Sequence, residues 1–454
     1  MPADDARASS ARAWIAPAAI AAGTFVLCYG LAQALSRAGV FAYLDVLFDT
    51  DAAWYLQGLS EGRGTGTGWG ARSVVHPNVA NLINPPLRLI AEICASVGAC
   101  ADPAVVRPKL ALIVSPAAAA IEAVFVFLTI RTLYRSDVRA TLAALLGVAL
   151  LPTLLFGSVP ESFALTGCAF AALFYAVSRH AVGRPVGAMW WAVIGIALSS
   201  ITVTNIWLFA VGYTVAHAGD RWVTPAAGVA AVRASVIALL STAGLALAIG
   251  SAYGALSDYR TALQQLTEVR APRQDLAERR WTDAARDGLA LAATGAFLTF
   301  PRALGDTVLP PRPSIHGTAL GLDTAGGTLG VRPEPSLHAN FRNTSADWGT
   351  FVALAALAGA LIAAVTSRGP QRLVFRVAIA LVAANWVFHS VFGFELFLYA
   401  KHWSVAVTIL LAAWFELKRP VAYAGMAVVV VLLLLAVLRD VRVFTHLFGA
   451  FAGS

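Results

Sequence analysis

The chain has 454 residues, of which 58% are hydrophobic and only 13% are charged. A soluble globular chain is about 45–50% apolar, whereas runs of roughly 18 or more apolar residues, each enough to cross about 30 Å of hydrocarbon, recur along this whole sequence. The composition excludes a soluble globular domain and predicts an all-α, polytopic integral membrane protein.

The charge balance is basic, with 33 Lys and Arg residues against 25 Asp and Glu and a net charge of +8. No basic stripe with interleaved aromatic residues is present, so binding of nucleic acid is not expected. In a membrane protein, positive charge usually marks the cytoplasmic loops. The Ala-rich composition, with Arg preferred to Lys, is typical of a high-GC bacterial gene, so we expect the bacterial inner (plasma) membrane.

The first apolar run follows charged residues and exceeds the apolar core of a signal peptide, which predicts a retained transmembrane helix. About eleven spans are predicted in all. They cover residues 14–35, 109–131, 139–158, 162–179, 186–202, 204–219, 229–253, 347–366, 373–392, 403–417 and 420–438.

Basic residues recur in every second short loop, which predicts that these loops face the cytoplasm. They are Arg7, Arg12, Arg131, Arg135, Arg139, Arg179, Arg184, Arg221, Arg233, Arg368, Arg372, Arg376, Lys418 and Arg419. The opposite, extracytoplasmic side then carries two long loops, 36–108 and 254–346. We expect both loops to bear amphipathic helices lying along the membrane surface.

Three regions follow from this division of the chain. Residues 1–253 form a transmembrane module that includes the loop 36–108, residues 254–346 form the second long loop, and residues 347–454 form the C-terminal helices. The second loop turns rich in Pro, Gly, Thr and Ser from residue 306 onward. Loops of this length are usually functional.

Polar residues gather in five stretches that the predicted topology places at extracytoplasmic helix ends or loops. The stretches are "FDTDAAWY", "GARSVVHPN", "SVPESF", "TNIW" and "FELFLYAKHW". The candidate site residues within them are Asp49, Asp51, Trp54, Tyr55, Arg72, His76, Glu161, Glu395, Tyr399, Lys401 and His402. Ionisable residues at a membrane are costly and are functional candidates by default, so we predict one site assembled from several helix ends.

The chemistry of these residues indicates acid–base catalysis and phosphate recognition. Asp51 or Asp49 would accept a proton from an incoming hydroxyl as general base. Lys401, with His402 and Arg72, would neutralise an anionic phosphate leaving group. Tryptophans and tyrosines at the interface would stack on a sugar or lie in the headgroup region.

Simpler interpretations stay open for most of these residues. Asp49 and Asp51 also fit surface acids, Glu161 after Pro160 fits a helix cap, His76 fits a turn residue, and His402 fits interfacial packing. Cofactors are not required, although Asp49, Asp51 and His76 would suit a divalent metal ion. Cys94 and Cys100, in the first long loop, fit either a disulfide or two free thiols.

The arrangement resembles the GT-C superfamily of polytopic glycosyltransferases, which use lipid-phosphate-linked sugars. These enzymes commonly carry an acid just past the first span, followed within a few residues by a Tyr, and "DTDAAWYLQGL" is similar to that element. "HPNVANLINPPLRLI" resembles the His-Pro and Pro-Pro turn of the same loop, and "VPESFALTGCAFAALFYA" resembles the Pro-Glu pair that opens the fourth span. The chain departs from the family in its Asp-Thr-Asp spacing and in lacking a large C-terminal periplasmic domain.

The resemblance implies an inverting glycosyl transfer from a polyprenyl-phosphate sugar on the extracytoplasmic face. Asp51, with Asp49 as rival, takes the place of the catalytic acid, and Lys401 with Arg72 or His402 holds the departing phosphate. The acceptor is a hydroxyl of a lipid, a cell-envelope glycan or a protein, and membrane lipids surround the bundle. The alternatives are a lipid-linked glycan ligase or polymerase and a secondary transporter or flippase.

Overall fold

The structure is a computed structural model that describes residues 3–38, 40–44, 52, 55, 56, 59, 76–100, 102–219, 224–252, 312–313, 348–392, 400–417 and 422–452. These residues form helices almost throughout. The helices are α1 (Ala3–Arg37), α2 (Val79–Ser96), α3 (Pro103–Ala111), α4 (Val114–Tyr134), α5 (Asp137–Ala149), α6 (Leu151–Ser158), α7 (Ser162–Ala181), α8 (Ala188–Ile201), α9 (Asn205–Ala218), α10 (Pro225–Ala252), α11 (Trp348–Thr366), α12 (Pro370–Phe392), α13 (Lys401–Leu411) and α14 (Ala422–Ala452), with short 3-10 helices at Val40–Ala42 and Ala412–Glu416.

The helix boundaries follow local sequence signals. Asp102 accepts a hydrogen bond from the amide of Ala104 at 2.7 Å, and Pro103 begins α3. Ser136 caps α5 in the same way through the amide of Arg139. At the other end, α4 stops where Arg135 adopts a left-handed conformation with φ of 50°. Such caps and left-handed residues satisfy backbone groups that a helix end leaves unpaired.

Helices lie at the positions of all eleven predicted spans, but fewer of them are long enough to cross a membrane. Among the described residues, six helical segments combine the length and apolarity needed: Trp14–Arg37, Pro103–Tyr134, Ser162–Ala181, Pro225–Ala248, Pro370–Phe388 and Tyr423–Thr445. A seventh is obtained if α5 and α6, bent by 64°, count as one broken span. The predicted eleven is therefore higher than this measure supports. Helices α8, α9 and α13 have only 14, 14 and 11 residues, and α11 counts only over Leu354–Thr366.

Two of the basic loops that the structure describes, around residues 131–139 and 368–376, lie at one end of the bundle, which we call the basic end. Arg139 lies over the ring of Phe415, 6.0 Å from its centroid. Gln371 donates to the carbonyl of Leu133 at 3.2 Å, and Arg376 donates to that of Gly219 at 3.1 Å. The helix ends that loop charge assigned to the cytoplasm are thus neighbours in space, which agrees with the alternation of loops.

The core lies between these helices, with α4 packed against α1, α5 and α7. Phe127, Phe170 and Phe174 are fully buried there, whereas Leu240, Val431 and Leu434 on α10 and α14 are exposed. Exposed aliphatic side chains on apolar helices are what a lipid environment requires. The described structure is that of an α-helical integral membrane protein.

The first long loop contains α2, whose exposed face carries Leu89, Ile90 and Ile93. This agrees with the predicted amphipathic helix in that loop. Tyr43 and Leu44 pair in antiparallel fashion with Arg312–Pro313, which brings short pieces of the two long loops together. The helices predicted within residues 254–346 lie outside the described residues.

Cys94 and Cys100 are free thiols near the end of α2. The amide of Cys100 donates to the carbonyl of Cys94 at 3.2 Å. A hydrogen bond with the Cys94 side chain is the main cause that raises the pKa of Cys100 to about 11. Of the two alternatives for this pair, the structure contains the free thiols.

Trp414 joins three elements near the basic end. Its Nε1 donates to the carbonyl of Ala356 at 3.0 Å, and its ring covers Gly359 on α11. Its carbonyl oxygen lies against Gly425 on α14 so closely that a Cβ at position 425 would overlap it. Small residues that let helices approach closely are a common basis of packing in membranes.

We therefore expect Gly425→Ala to lower the thermal unfolding midpoint in detergent, since α14 must move away from a backbone carbonyl at a cost of about 1–3 kcal/mol. The matched control is Gly228→Ala on α10, where a Cβ meets nothing within 4 Å. That variant should keep or raise the midpoint, because Ala favours a helix over Gly by about 1 kcal/mol. Equal midpoints for both variants would contradict the packing described.

Candidate functional site

Four of the predicted site residues meet at the end of the bundle opposite to the basic end. Tyr55, His76, Glu161 and His402 come from the first long loop, the start of α7 and the start of α13. We call them the His76 cluster. Residues from separate helix ends and loops are brought together here, and their role as a functional site stays a prediction.

His76 is fixed by a turn that docks on two helices. Its Nδ1 donates to the carbonyl of Ile201 at 2.6 Å and lies 3.2 Å from the hydroxyl of Thr202. Two residues later, buried Asn78 donates from Nδ2 to the Ser200 hydroxyl at 3.0 Å and to the Thr242 carbonyl at 3.1 Å. Because a carbonyl can only accept, Nδ1 carries the proton, and in the neutral ring Nε2 is the basic nitrogen.

Tyr55 is fully buried and connects His76 to Glu161. Its ring meets that of His76 edge to face, with centroids 5.6 Å apart. Burial raises the pKa of Tyr55 well above its usual value, and the charge of Glu161 adds to the shift, while Ser162 opposes it. Tyr55 is therefore a neutral phenol, able to donate a hydrogen bond, across the physiological pH range.

Glu161 begins α7 and is 4% exposed. Its carboxylate accepts from the amide of Ser162 at 3.3 Å, so the predicted capping role is present. Its backbone amide also donates to the buried hydroxyl of Ser115 at 3.3 Å. The cap and the approach to Tyr55 coexist, because one carboxylate oxygen is enough for the cap.

His402 is buried against α7 on the other side of the cluster. Its ring lies 5.7 Å from that of Phe163 and 6.5 Å from that of Phe170, measured between centroids. It is close enough to His76 for protonation of one ring to disfavour protonation of the other. The packing interpretation of His402 thus agrees with the structure, and the packing places the imidazole against Phe163, two residues after Glu161.

Lys401, the residue before His402, points into the bundle and not into the His76 cluster. Its Nζ lies 2.6 Å from Glu122 Oε1 and donates to Thr153 Oγ1 at 2.7 Å. Thr153 Oγ1 in turn donates to Glu122 Oε1 at 3.4 Å. The side chains of Lys401 and Glu122 are 0% and 4% exposed. We call these three residues the Lys401 cluster.

The sequence interpretation missed Glu122 and Thr153. Glu122 is the one acidic residue in the apolar run between Lys109 and Arg131, and an acid within a span is a functional candidate by default. Its partner lies 279 positions away along the chain. The sequence therefore marks Glu122 as a candidate, but nothing in it indicates that Lys401 is its partner.

A second buried ion pair lies on α14. Arg439 contacts the carboxylate of Asp440, its neighbour in sequence, and donates to the carbonyl of Ala149 at 3.0 Å. Ala149 is the last residue of α5, at the bend before α6. This pair has a structural explanation, since it satisfies a carbonyl at a helix break.

The remaining predicted site residues, Asp49, Asp51, Trp54, Arg72, Glu395 and Tyr399, lie outside the described residues. The proposed metal ligands Asp49 and Asp51 are among them. Within the described part of the chain, no group of three or more His, Cys, Asp or Glu side chains is placed to hold a metal ion. Metal binding by His76 with the two acids stays a prediction.

Fold and site together define the chain as an α-helical membrane protein with a histidine-rich cluster at one end of its bundle and an ion pair inside it. Comparisons with protein-family models, with curated proteins and with solved structures give no match to this chain.

The Lys401 cluster predicts an unequal response to two identical lysine substitutions. Lys401→Met leaves the buried carboxylate of Glu122 without its counter-ion, which costs about 3–5 kcal/mol, so the thermal midpoint in detergent should fall sharply. Lys109→Met is the control, because Lys109 is exposed and surface changes cost at most about 0.5 kcal/mol. The ion pair would be of no consequence if both variants unfolded at the parental midpoint.

Proposed function

We propose that this chain is a membrane glycosyltransferase of GT-C type, which moves a sugar from a polyprenyl-phosphate donor to an acceptor hydroxyl. The observation that supports it best is the assembly of Tyr55, His76, Glu161 and His402 at the end of the bundle opposite to the basic end. Hydrogen-bond donors and acceptors at a membrane face suit a substrate that has a sugar and phosphate head on a lipid tail.

The proposal assigns each group a step. Asp51, or Asp49, takes the proton of the acceptor hydroxyl, whose oxygen then attacks the anomeric carbon. The bond between that carbon and the phosphate oxygen breaks, the phosphate leaves with the electron pair, and the configuration inverts. Arg72 neutralises the departing phosphate, His402 offers it a hydrogen bond from a neutral imidazole, and Tyr55 and Glu161 bind sugar hydroxyls.

Lys401 was predicted to bind the same phosphate. In the described structure its ammonium already contacts Glu122 and Thr153 and has no exposed surface. Ser115 and Glu122 are seven residues apart on α4, so Glu122 lies about 10 Å deeper than the level of Ser115 at 1.5 Å per residue. Direct phosphate binding by Lys401 would require the phosphate to reach that depth and displace Glu122.

The number of spans and the orientation of the bundle in the membrane are part of the same proposal. We propose that α8, α9, α11 and α13 also cross the membrane within the bundle, giving about eleven spans, and that the basic end faces the cytoplasm of a bacterial inner membrane. The buried surfaces of α8 and α9 against α7 and α12 are compatible with this arrangement. The His76 cluster would then face the extracytoplasmic side, where both long loops lie.

We expect Asp51→Asn to reduce turnover by about 10²–10⁴-fold, which is the usual contribution of a general base, with donor affinity changed little. The measurement uses purified protein in nanodiscs with a panel of polyprenyl-phosphate hexoses and an extracted acceptor fraction. Asp49→Asn should have the smaller effect. Asp137→Asn is the control, since that side chain is 57% exposed and pairs with Arg131 near the basic end.

Full turnover in the Asp51→Asn variant, with Asp49→Asn also active, would refute the assignment of the base. Transfer from lipid-diphosphate donors that depends on Arg72 and His76 would indicate the ligase or polymerase alternative. Movement of the lipid-linked sugar across a vesicle membrane without any transfer would indicate a flippase or transporter, for which the ion pair inside the bundle is the favouring observation.

A further inference from the structure

The Lys401 cluster joins three helices through one ammonium group. Glu122 lies in the middle of α4, Thr153 lies near the start of α6, and Lys401 is the first residue of α13. The ammonium contacts both partners at 2.6 and 2.7 Å, and the Thr153 hydroxyl closes the triangle by donating to Glu122. An ammonium with charged and hydroxyl acceptors in a dry interior has a strongly defined position.

The position of Lys401 determines that of His402. Neighbouring residues on a helix point about 100° apart around its axis, so fixing Lys401 toward α4 and α6 directs His402 toward α7. There His402 meets Phe163 and Phe170 and lies near His76. The ion pair of Lys401 therefore fixes the rotation of α13 about its axis, and that rotation sets where the next side chain, His402, lies.

Helix α7 contacts both clusters. Phe163 and Phe170 pack on His402, and Gly167, between them, lies against the ion pair. A Cβ at position 167 would overlap Glu122 Oε2 and Lys401 Cε. Glu122 Oε2 is itself buried and has no hydrogen-bond partner among the described residues, which is costly. Helix α7 thus stays close to the ion pair, although one carboxylate oxygen of Glu122 has no hydrogen-bond partner there.

We infer that Glu122 and Thr153, acting through Lys401, are positioning residues that hold His402 against Phe163 and Phe170, within the His76 cluster. The effect on catalysis rests on the proposed function. The effect on the position of His402 does not depend on any reaction. The inference assigns roles to two residues that the sequence interpretation did not select, and it gives Lys401 a role that needs no contact with the donor phosphate.

The geometric test measures the distance between positions 76 and 402 directly. His76→Cys and His402→Cys are introduced together in a chain whose four native cysteines are replaced by Ala. A short bis-methanethiosulfonate reagent crosslinks them, since it forms a disulfide with each thiol and releases methanesulfinate. Adding Lys401→Met, or both Lys401→Met and Glu122→Met, should lower the crosslinking yield at least threefold. The variant with both Lys401→Met and Glu122→Met should nevertheless be more thermally stable than Lys401→Met alone. Replacing both members of a buried pair by apolar residues is often neutral.

A double methionine variant that is stable and crosslinks like the parent would overturn the inference, because the ion pair would then be irrelevant to the position of His402. If none of the variants folds, Glu122→Gln replaces them, since it keeps the side-chain shape but removes the charge that holds the ammonium in place. Parental crosslinking in Glu122→Gln would overturn the inference in the same way.

The kinetic test uses the histidine-containing chain with the double methionine and Glu122→Gln variants. Positioning predicts a fall in kcat of about 10- to 100-fold, the cost of a misplaced group, with KM for the donor within about twofold. A rise in KM confined to variants lacking Lys401 would instead show direct phosphate binding and overturn the inference. Reduced crosslinking in a parent chain without transferase activity would support the positioning role and refute the proposed function.

Discussion

One buried ion pair is the constraint on which much of this structure depends. Lys401 and Glu122 are almost completely removed from solvent, and each charge pays several kcal/mol for leaving water. The pair persists only because the two charges are in contact and Thr153 adds a hydroxyl to both. The packing of α4, α6 and α13 must therefore keep these three side chains together, and Gly167 must stay without a side chain.

The break between α5 and α6 explains why polar groups collect at this depth. In a continuous helix the amide of Thr153 would bond to the carbonyl of Ala149, but here it bonds to that of Leu150 at 2.8 Å. The carbonyl of Ala149 is taken by Arg439 instead. A broken helix in an apolar environment must find such partners for its backbone, and the same break gives Thr153 its place beside Glu122.

The sequence predicts what depends on local composition. Apolar runs located helices α1, α4 and α7, loop charge located the basic end, and polar residues at helix ends identified Tyr55, His76, Glu161 and His402 as neighbours. Its count of eleven spans exceeds the six or seven that helix length and apolarity support, because helices such as α8 and α9 are apolar but only 14 residues long. It missed the pairing of Lys401 with Glu122 because nothing local couples residues 279 positions apart, and it therefore took Lys401 for a cation that faces the substrate.

The side chain of Lys401 points into the bundle and not toward a substrate, and this changes the role that Lys401 can have in the site. Lys401 and His402 are consecutive, so sequence alone suggests that they act together, whereas the helix sends them to different clusters. A site at a membrane face receives a long, mobile lipid substrate, so its own groups must be held by the bundle if a reacting geometry is to be reproduced. An ion pair one residue from His402 and inside the bundle supplies such a support, because moving His402 would mean pulling a charge away from its only charged partner in the described structure.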